Sequence, residues 1–152
     1  MSNPCDLEAQ LKLDNQLCFM LYACSRAVTR AYRPKLDALG LTYPQYLVLL
    51  VLWEWQQTPP AQATVKALGE RLLLDSGTLT PLLKRLESLG LVERRRAQHD
   101  ERERVLVLTD AGLALKSQAA EVPQTLLCES GASLDELARL RDQLAVLLRR
   151  FA

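Results

Sequence analysis

The chain has 152 residues, of which 19 are Lys or Arg and 18 are Asp or Glu, so its formal net charge at pH 7 is only +1. This balance excludes a protein that binds nucleic acids or membranes through a uniformly basic surface, although it permits a local basic patch. The length fits one domain, or one domain with appended helices, and suffices to bury a core without stabilising disulfides or metals.

Targeting segments and metal-ligand patterns are missing from the sequence. The first residues lack the basic and apolar regions of a signal peptide, and the most apolar stretch, residues 46–53, is too short to span a bilayer. We therefore expect a cytoplasmic protein with no membrane partner, whose cysteines stay mostly reduced. The cysteines at positions 5, 18, 24 and 128 include no Cys-x-x-Cys pair and the only histidine is His99, so we expect no metal site and no cofactor.

Helical periodicity dominates the first 60 residues. Apolar residues recur at helical spacing over residues 7–32, which predicts a long helix that ends before Pro34. Gly40 closes a short helical segment over residues 34–39. Residues 42–45, Thr-Tyr-Pro-Gln, form a capping-box pattern. The helix that they begin extends to about Gln57 and is apolar on most faces, which predicts a central position.

The next two helices have the pattern of a helix-turn-helix. A helix is predicted over residues 64–73, a break over residues 74–77, and then a second helix whose apolar face extends from Leu79 to Leu89. Pro81 leaves the start of the second helix open. Either the helix begins at Ser76 and is distorted at Pro81, or Thr80 is the N-cap and Pro81 the first helical residue.

After Gly90 the periodicity changes to that of β-strands. Residues 91–96 and 102–108 predict two strands joined by the polar residues 97–101, so that a β-hairpin follows the second helix directly. Thr109 and Asp110 begin a helix predicted to extend to about Leu127, with Pro123 inside it. A turn at residues 130–132 precedes a final helix that begins with a second capping box at residues 133–136.

These elements predict a mainly α-helical fold with a small β-hairpin wing, in which a winged helix-turn-helix is flanked by N- and C-terminal dimerisation helices. We expect a single domain over residues 1–152, with its DNA-binding lobe at about 42–113 and its helical dimerisation region at about 7–40 and 114–152. A small winged helix cannot cover the apolar faces of the terminal helices, so we predict a homodimer in which these helices pack together. An intramolecular six-helix bundle is the alternative.

Basic residues are concentrated in the second helix of the helix-turn-helix and in the first strand. Residues 84–96 contain five basic and two acidic residues, whereas residues 1–63 and 105–152 are balanced or slightly acidic. This distribution favours contact with the phosphates of double-stranded DNA, although charge alone is also consistent with a solvated hairpin. The short hydroxyl side chains that precede the basic residues can contact phosphates or base edges, and Asp75 is best placed as an N-cap. The candidate DNA-binding residues of this region are Asp75, Ser76, Thr78, Thr80, Lys84, Arg85, Arg94 and Arg96.

Two short motifs carry a family resemblance. Asp100-Glu101-Arg102, followed by Leu-Thr-Asp-Ala-Gly at residues 108–112, resembles the wing signature of the MarR family of winged-helix regulators. The resemblance implies that the terminal helices form the dimer and that Arg102 reaches into the minor groove, where Arg senses groove width and A·T content. Asp100 is expected to hold the wing turn and Arg102 in place.

Cys18 is a candidate reactive thiol on the first predicted helix. A lone Cys on an apolar helix is usually an inert core residue. However, Tyr22 is one turn away on the same face, and Tyr32 and Tyr43 lie near the end of this helix and the start of the next. Phenolic hydroxyls can donate to a thiolate and lower its pKa, as a reactive Cys requires; the alternative is that each Tyr is a half-buried core residue.

The segments around these residues resemble one MarR subgroup, the organic hydroperoxide resistance regulators (OhrR). The resemblance implies that Cys18 is the peroxide-sensing thiol and that Tyr32 and Tyr43 bond to it across the dimer interface. It also implies a continuous helix through Pro81. The matching segments are residues 17–19, 21–22, 42–46 and 74–81.

Cys128 resembles the second cysteine of one of the two OhrR types. In one type a small thiol captures the single oxidised Cys, and in the other a second Cys near the start of the C-terminal region closes an intersubunit disulfide. Cys128 lies at a predicted helix end and matches the second type, with an incidental surface thiol as the alternative. Cys24, about 120° round the helix from Cys18, is expected to be a packing residue. Cys5 could compete as a resolving thiol.

The sequence therefore predicts a transcriptional repressor and not an enzyme. We expect the reduced homodimer to bind a pseudo-palindromic operator and to leave it when an organic hydroperoxide oxidises Cys18 and Cys128 forms the disulfide. A thiol reductant would then reset the protein. A regulator released by a small aromatic ligand and a thiol peroxidase are the rival interpretations. The peroxide is expected to enter an apolar pocket lined in part by Leu17, Phe19 and Tyr22.

Overall fold

The computed structural model describes residues 6–151, which form a mainly α-helical structure with one two-stranded antiparallel hairpin. This architecture confirms the predicted fold class. Most of the predicted elements are present with small changes in their bounds, and three helices differ from prediction. The elements in chain order are α1 (Leu7–Gln10), a 3-10 helix (Leu13–Asn15), α2 (Leu17–Ala38), α3 (Tyr43–Gln57), α4 (Val65–Leu72), α5 (Ser76–Ser88), β1 (Val92–Arg96), β2 (Arg104–Leu108), α6 (Asp110–Ala119), α7 (Gln124–Ser130) and α8 (Leu134–Arg149).

The chain divides into two compact units. The central unit is Pro34–Pro123, and the flanking unit consists of the segments up to Arg33 and from Gln124 onward. The last turn of α2 therefore belongs to the central unit and the rest of α2 to the flanking unit.

Helix α3 is the core helix of the central unit, as its apolar sequence predicts. It packs against α4, α5, α6 and β2, and seven of its residues are buried. The predicted capping box begins it, because the Thr42 N–H donates to Gln45 Oε1 at 3.1 Å and the Thr42 hydroxyl accepts from the Gln45 N–H. Within residues 6–151 no single helix is long and apolar enough to cross a membrane, and only α2 and α3 taken together reach that length and composition. The apolar residues of α3 are explained by its core position.

The predicted helix end before Pro34 is wrong, because α2 continues through Pro34 to Ala38. Leu36 and Leu41 are almost fully buried in the central unit, and their burial stabilises the helical turn that follows the proline. The helix then ends in the predicted way. Gly40 has a φ of 71°, and the Leu41 N–H donates to the Leu36 carbonyl at 3.0 Å.

The predicted helix over residues 7–32 is also interrupted, since α1 ends at Gln10 and α2 begins only at Leu17. Polar side chains replace backbone donors at the interruption. The Asn15 side chain donates to the Ala9 carbonyl at 2.6 Å, and the Gln16 side chain donates to the Lys12 carbonyl at 3.2 Å. As a consequence, Cys18 lies in the first turn of α2 and not in the middle of a long helix.

The helix predicted to extend from Thr109 to Leu127 is two helices. Helix α6 ends at Ala119, and α7 begins at Gln124 after a turn over residues 120–123. Pro123 disfavours a helical conformation at Val122, whose side chain is instead buried in the central unit. The second capping box is confirmed, because the Ser133 hydroxyl accepts from the Glu136 N–H at 3.1 Å at the start of α8.

Candidate DNA interface and thiol site

A tight turn joins α4 to α5 and depends on close backbone approach. Leu73 has a left-handed φ of 58°, and the Leu74 N–H donates to the Gly69 carbonyl at 2.9 Å. A Cβ at Gly69 would lie 2.8 Å from the Leu74 oxygen and 3.1 Å from Leu79 Cδ1. Gly69 therefore permits this turn, a role that sequence reasoning missed because an isolated Gly inside a helical pattern gives only a weak signal.

Helix α5 begins at Ser76 and continues through Pro81, so the alternative start at Thr80 is wrong. Asp75 is the N-cap, as predicted, because its carboxylate accepts from the Thr78 N–H at 2.7 Å. This hydrogen bond from the Thr78 backbone is the main reason that the pKa of Asp75 lies below its ordinary value. Pro81 cannot donate to the carbonyl of Gly77, and Gly77 is an exposed residue.

The two faces of α5 differ in the way that a DNA-reading helix requires. Leu79, Leu83 and Leu86 are buried in the central unit. Thr80 is half-buried, and its hydroxyl donates to the Ser76 carbonyl at 2.7 Å. The exposed residues of this helix include Ser76, Gly77, Thr78, Pro81, Lys84 and Arg85.

The hairpin pairs β1 with β2 in antiparallel register, from Val92 opposite Leu108 to Arg96 opposite Arg104. At its tip the Asp100 carboxylate accepts from the Arg102 N–H at 2.9 Å. This is the contact that the expected role of Asp100 requires. The side chain of Arg102 is exposed at this turn.

The basic residues of the surface fall into two groups. Arg94 donates to Glu87 of α5 and is half-buried. Arg95 pairs with Glu93 at 2.7 Å. The remaining candidates are exposed and take part in no ion pair found in the described part of the chain. They are Lys84, Arg85, Arg96 and Arg102.

Contacts outside the hairpin hold the wing against the segment that precedes α4. The Leu106 N–H donates to the Ala63 carbonyl at 2.8 Å, and Thr64 forms an isolated bridge with Val105. His99 Nε2 lies 2.9 Å from Glu103 Oε2 and 3.1 Å from Gln62 Nε2. His99 is exposed in the turn region, where the sequence indicates a connection between the strands.

The Leu-Thr-Asp-Ala-Gly motif at residues 108–112 supports the base of the wing through its Thr and Gly, whereas Asp110 and Ala111 are exposed. The Thr109 hydroxyl donates to the Gly90 carbonyl at 2.6 Å and accepts from the Gly112 N–H at 3.1 Å. The buried Trp53 indole N–H donates to the Gly112 carbonyl at 2.9 Å. A Cβ on Gly112 would collide with the Leu91 carbonyl oxygen, so only glycine fits here.

The described cysteines are exposed free thiols. Cys18 lies in the first turn of α2, Cys24 lies further along the same helix, and Cys128 lies on α7. Leu17 and Tyr22 beside Cys18 are exposed, whereas Phe19 is half-buried. Cys5 lies outside the described residues.

The tyrosines singled out by sequence differ in burial. Tyr22 is exposed on α2, with the Arg26 guanidinium carbon 5.3 Å from its ring centroid. Tyr32, in the flanking unit, is buried. Tyr43 begins α3 in the central unit, with its ring centroid 6.2 Å from that of Tyr46. Burial raises the pKa of Tyr43 above its ordinary value.

The flanking unit has almost no core of its own. Tyr32 is the only buried residue among those that the structure describes in this unit. Large apolar side chains are exposed at both of its ends. They include Leu7, Leu11, Leu13, Leu17, Met20 and Leu21 in the N-terminal segment, and Leu134, Leu140, Leu144, Val146, Leu148 and Phe151 in the C-terminal segment.

Comparison with known proteins identifies the family. A model of the SarA/Rot transcriptional regulators matches residues 30–119. The chain is 51% identical over 138 residues to the organic hydroperoxide resistance transcriptional regulator of Bacillus subtilis. The aligned region covers 91% of this chain and 90% of that protein. The chain belongs to the OhrR subgroup of the MarR-type winged-helix regulators. The resemblance predicted from the sequence is thereby confirmed.

Two further relatives support this family membership. The regulator MgrA of Staphylococcus aureus is 37% identical over 143 residues, with 93% of this chain and 94% of that protein covered. Among solved structures, AbfR of Staphylococcus epidermidis has 38% sequence identity to this chain and superposes with a TM-score of 0.75. The superposed region covers 95% of this chain and 96% of AbfR. AbfR has also been solved in reduced form bound to DNA, with a TM-score of 0.73, and in disulfide form, with a TM-score of 0.60. The B. subtilis relative and MgrA are both transcriptional regulators, in agreement with the predicted non-enzymatic function.

Proposed function

We propose that this OhrR protein is a cytoplasmic, peroxide-responsive repressor. The reduced homodimer binds double-stranded, pseudo-palindromic operator DNA and leaves it when an organic hydroperoxide oxidises Cys18. The observation that carries the proposal is the exposed, free Cys18 thiol at the start of α2, in a chain that is 51% identical to an organic hydroperoxide resistance regulator.

The composition of the flanking unit's surface supports the proposal of a homodimer. A folded segment whose described residues include a single buried side chain cannot offset its own conformational entropy. Packing the exposed apolar faces of α2 and α8 against a second copy supplies the missing core, since like surfaces of two copies meet in a twofold dimer. This arrangement also separates two DNA-binding surfaces for the two half-sites of an operator.

Cys18 is the proposed sensing thiol. Its thiol is free and exposed in the first turn of α2, so a hydroperoxide in solution can reach the sulfur. The thiolate attacks the outer oxygen of the hydroperoxide and the O–O bond breaks, which leaves a sulfenic acid and an alkoxide. The alkoxide takes up a proton from water and leaves as the alcohol. Tyr32 and Tyr43 of the partner subunit are the proposed donors to this sulfur. Leu17, Phe19 and Tyr22 are the proposed pocket for the organic group.

Cys128 is the proposed resolving thiol. The thiol of one subunit condenses with the sulfenic acid of the other, so that an S–S bond forms and water leaves. Two electrons from a thiol reductant later restore both thiols. The exposure of Cys128 permits this reaction, and AbfR, at 39% identity, also exists in a disulfide form.

The proposal is tested with the wild-type protein and a DNA fragment from its own promoter. Electrophoretic mobility shifts are measured with reduced protein before and after one equivalent of cumene hydroperoxide, and the oxidised residue is located by mass spectrometry. We expect release together with oxidation at position 18. Binding that is insensitive to peroxide would favour the rival regulator released by a small aromatic ligand. In a separate assay with excess peroxide and a thiol reductant, sustained peroxide consumption would favour the peroxidase.

Replacing Cys128 with Ser is expected to abolish the peroxide-induced covalent dimer, because the variant retains the sulfenic acid but has no thiol to condense with it. The measurement is non-reducing gel electrophoresis after peroxide treatment, with Cys24→Ser as the matched control that retains the dimer. If the Cys128→Ser dimer band persisted, the resolving thiol would be Cys5 or Cys24.

The proposed DNA contacts follow from exposure. Lys84, Arg85 and Arg96 contact phosphates, and Arg102 enters the minor groove. The hydroxyls of Ser76, Thr78 and Thr80 lie at the start of α5, where a helix meets base edges or phosphates. Asp75 and Asp100 contribute indirectly, because each accepts a backbone hydrogen bond that fixes α5 or the wing turn.

Replacing Arg102 with Ala is expected to weaken operator binding about 100-fold, because the homodimer loses two groove contacts and each is worth about tenfold. The homodimer should remain intact, since Arg102 is exposed at the wing tip. Fluorescence anisotropy measures the affinity and gel filtration measures the oligomeric state. Unchanged affinity would reject the minor-groove role.

A further inference from the structure

The Glu87–Arg94 ion pair joins two elements of the DNA-binding surface. Arg94 Nε, on β1, donates to Glu87 Oε1 near the end of α5. The side chains are only 26% and 32% exposed, respectively. The neighbouring pair of Arg95 with Glu93 lies within one strand, and both of its side chains are more than half exposed. The Glu87–Arg94 pair therefore differs from its neighbour in burial and in connecting the helix to the hairpin.

The side-chain alternation of β1 explains why Arg94 meets α5. Val92 and Arg94 lie on the same face of the strand, because side chains two residues apart point the same way. Val92 is buried, and α5 packs against β1. The guanidinium of Arg94 is thus directed toward the helix and already holds an acidic partner.

We propose that Glu87 and Arg94 are positioning residues that set the angle between α5 and the wing, and that Arg94 is not a phosphate ligand. The pair allows the exposed face of α5 and the Arg102 tip to reach their parts of the operator together. This inference rests on the proposed binding of operator DNA and is independent of the redox mechanism.

The length of the hairpin makes this angle important. Each strand has five residues, which corresponds to about 17 Å at about 3.4 Å per residue. A rotation of about 10° at the base would move the tip by about 3 Å over this length. Such a displacement is larger than hydrogen bonds to DNA tolerate. Loss of the pair should therefore reduce specific binding more than non-specific binding, which has no fixed geometry.

Whether removal of the Glu87 carboxylate weakens or strengthens operator binding distinguishes a positioning role from simple electrostatic repulsion. Removing a carboxylate from a DNA-binding surface reduces repulsion with phosphate and, on charge alone, strengthens binding. The positioning role predicts the opposite result for the operator. Glu87→Gln, which keeps the shape of the side chain, is therefore the decisive variant. Glu93→Gln is its control, because Glu93 is exposed and pairs only within β1.

The experiment measures the affinities of the reduced dimer for its operator and for an unrelated duplex over a range of salt concentrations. We expect Glu87→Gln and Arg94→Met each to lower the operator-to-unrelated ratio about tenfold, whereas Glu93→Gln leaves it within about twofold. Arg94→Lys should recover part of the ratio, because it keeps the charge beside Glu87.

The salt dependence tests whether Arg94 contacts phosphate. In a plot of the logarithm of the binding constant against the logarithm of the salt concentration, Arg96→Met should make the negative slope shallower by about 1.8. The reason is that a dimer loses two phosphate contacts, each of which contributes about 0.9. Arg94→Met should leave the slope unchanged. Circular dichroism checks folding, and if Arg94→Met is unfolded, Glu87→Gln decides the outcome.

Two results would overturn the inference: a Glu87→Gln ratio equal to or above that of the wild type, or an Arg94→Met slope reduced as much as that of Arg96→Met. A wild-type protein that does not prefer its operator would instead contradict the proposed function.

Discussion

Replacing Cys18 with Ser is expected to leave operator binding intact and to abolish release by organic hydroperoxide. Serine is similar in size to cysteine, and Cys18 is exposed, so the substitution should perturb packing little. An alcohol cannot form a sulfenic acid, so the chemistry that starts the response is lost. In mobility shifts, at least about 100-fold more peroxide should be required for release than with the wild type.

The control for this experiment is Cys24→Ser. Cys24 is an exposed thiol on the same helix, so the variant tests whether any thiol of α2 can serve as the sensor. We expect it to be released at the wild-type peroxide concentration. Peroxide-induced release of Cys18→Ser at that same concentration would remove Cys18 from the sensing role.

Replacing Gly112 with Ala is expected to destabilise the protein by about 3 kcal/mol, at the upper end of the cost of overpacking. The added Cβ would collide with the Leu91 carbonyl oxygen and lie 3.0 Å from Leu108 Cδ2. A backbone carbonyl cannot move aside as a flexible side chain can, so the base of the hairpin must shift. Thermal unfolding should show a midpoint lowered by about 10 °C.

Gly77→Ala is the matched control for Gly112→Ala. Both glycines lie in the first turn of a helix, but the nearest atom to a Cβ at Gly77 is Asp75 Oδ1 at 3.4 Å, an ordinary contact. Alanine is the better helix former, so this variant should be as stable as the wild type or slightly more stable. Equal stabilities of the two variants would show that the backbone at Leu91 adapts without cost.

Capped helix starts were predictable from the sequence because capping is local, whereas the starts of α2 and α7 were not predicted. The four cap residues each accept a backbone N–H from the residue three positions further on, as their sequence patterns indicate; they are Thr42, Asp75, Thr109 and Ser133. Helix continuity was less predictable, because it depends on distant packing. Pro34 signals a helix end, yet the burial of residues beyond it keeps α2 helical.

The candidate site was predictable to a similar degree. The amphipathic pattern predicts an apolar face from Leu79 to Leu89; Leu79, Leu83 and Leu86 are indeed buried, whereas Leu89 is exposed at the end of the helix. Charge counting could not distinguish Arg94 from Arg96, because the partner of Arg94 is brought to it by the turn after α5. Gly69 and Gly112 are required because carbonyl groups from other segments pack against them, and the sequence around each glycine does not reveal these contacts.

Because few described residues of the flanking unit are buried, its stability is expected to depend on the protein concentration. If folding of this unit and pairing of two copies are one event, the melting temperature should rise with protein concentration. Subunits that must unfold in order to separate should also exchange slowly. A mixture of tagged and untagged protein would then form heterodimers only at the rate of unfolding.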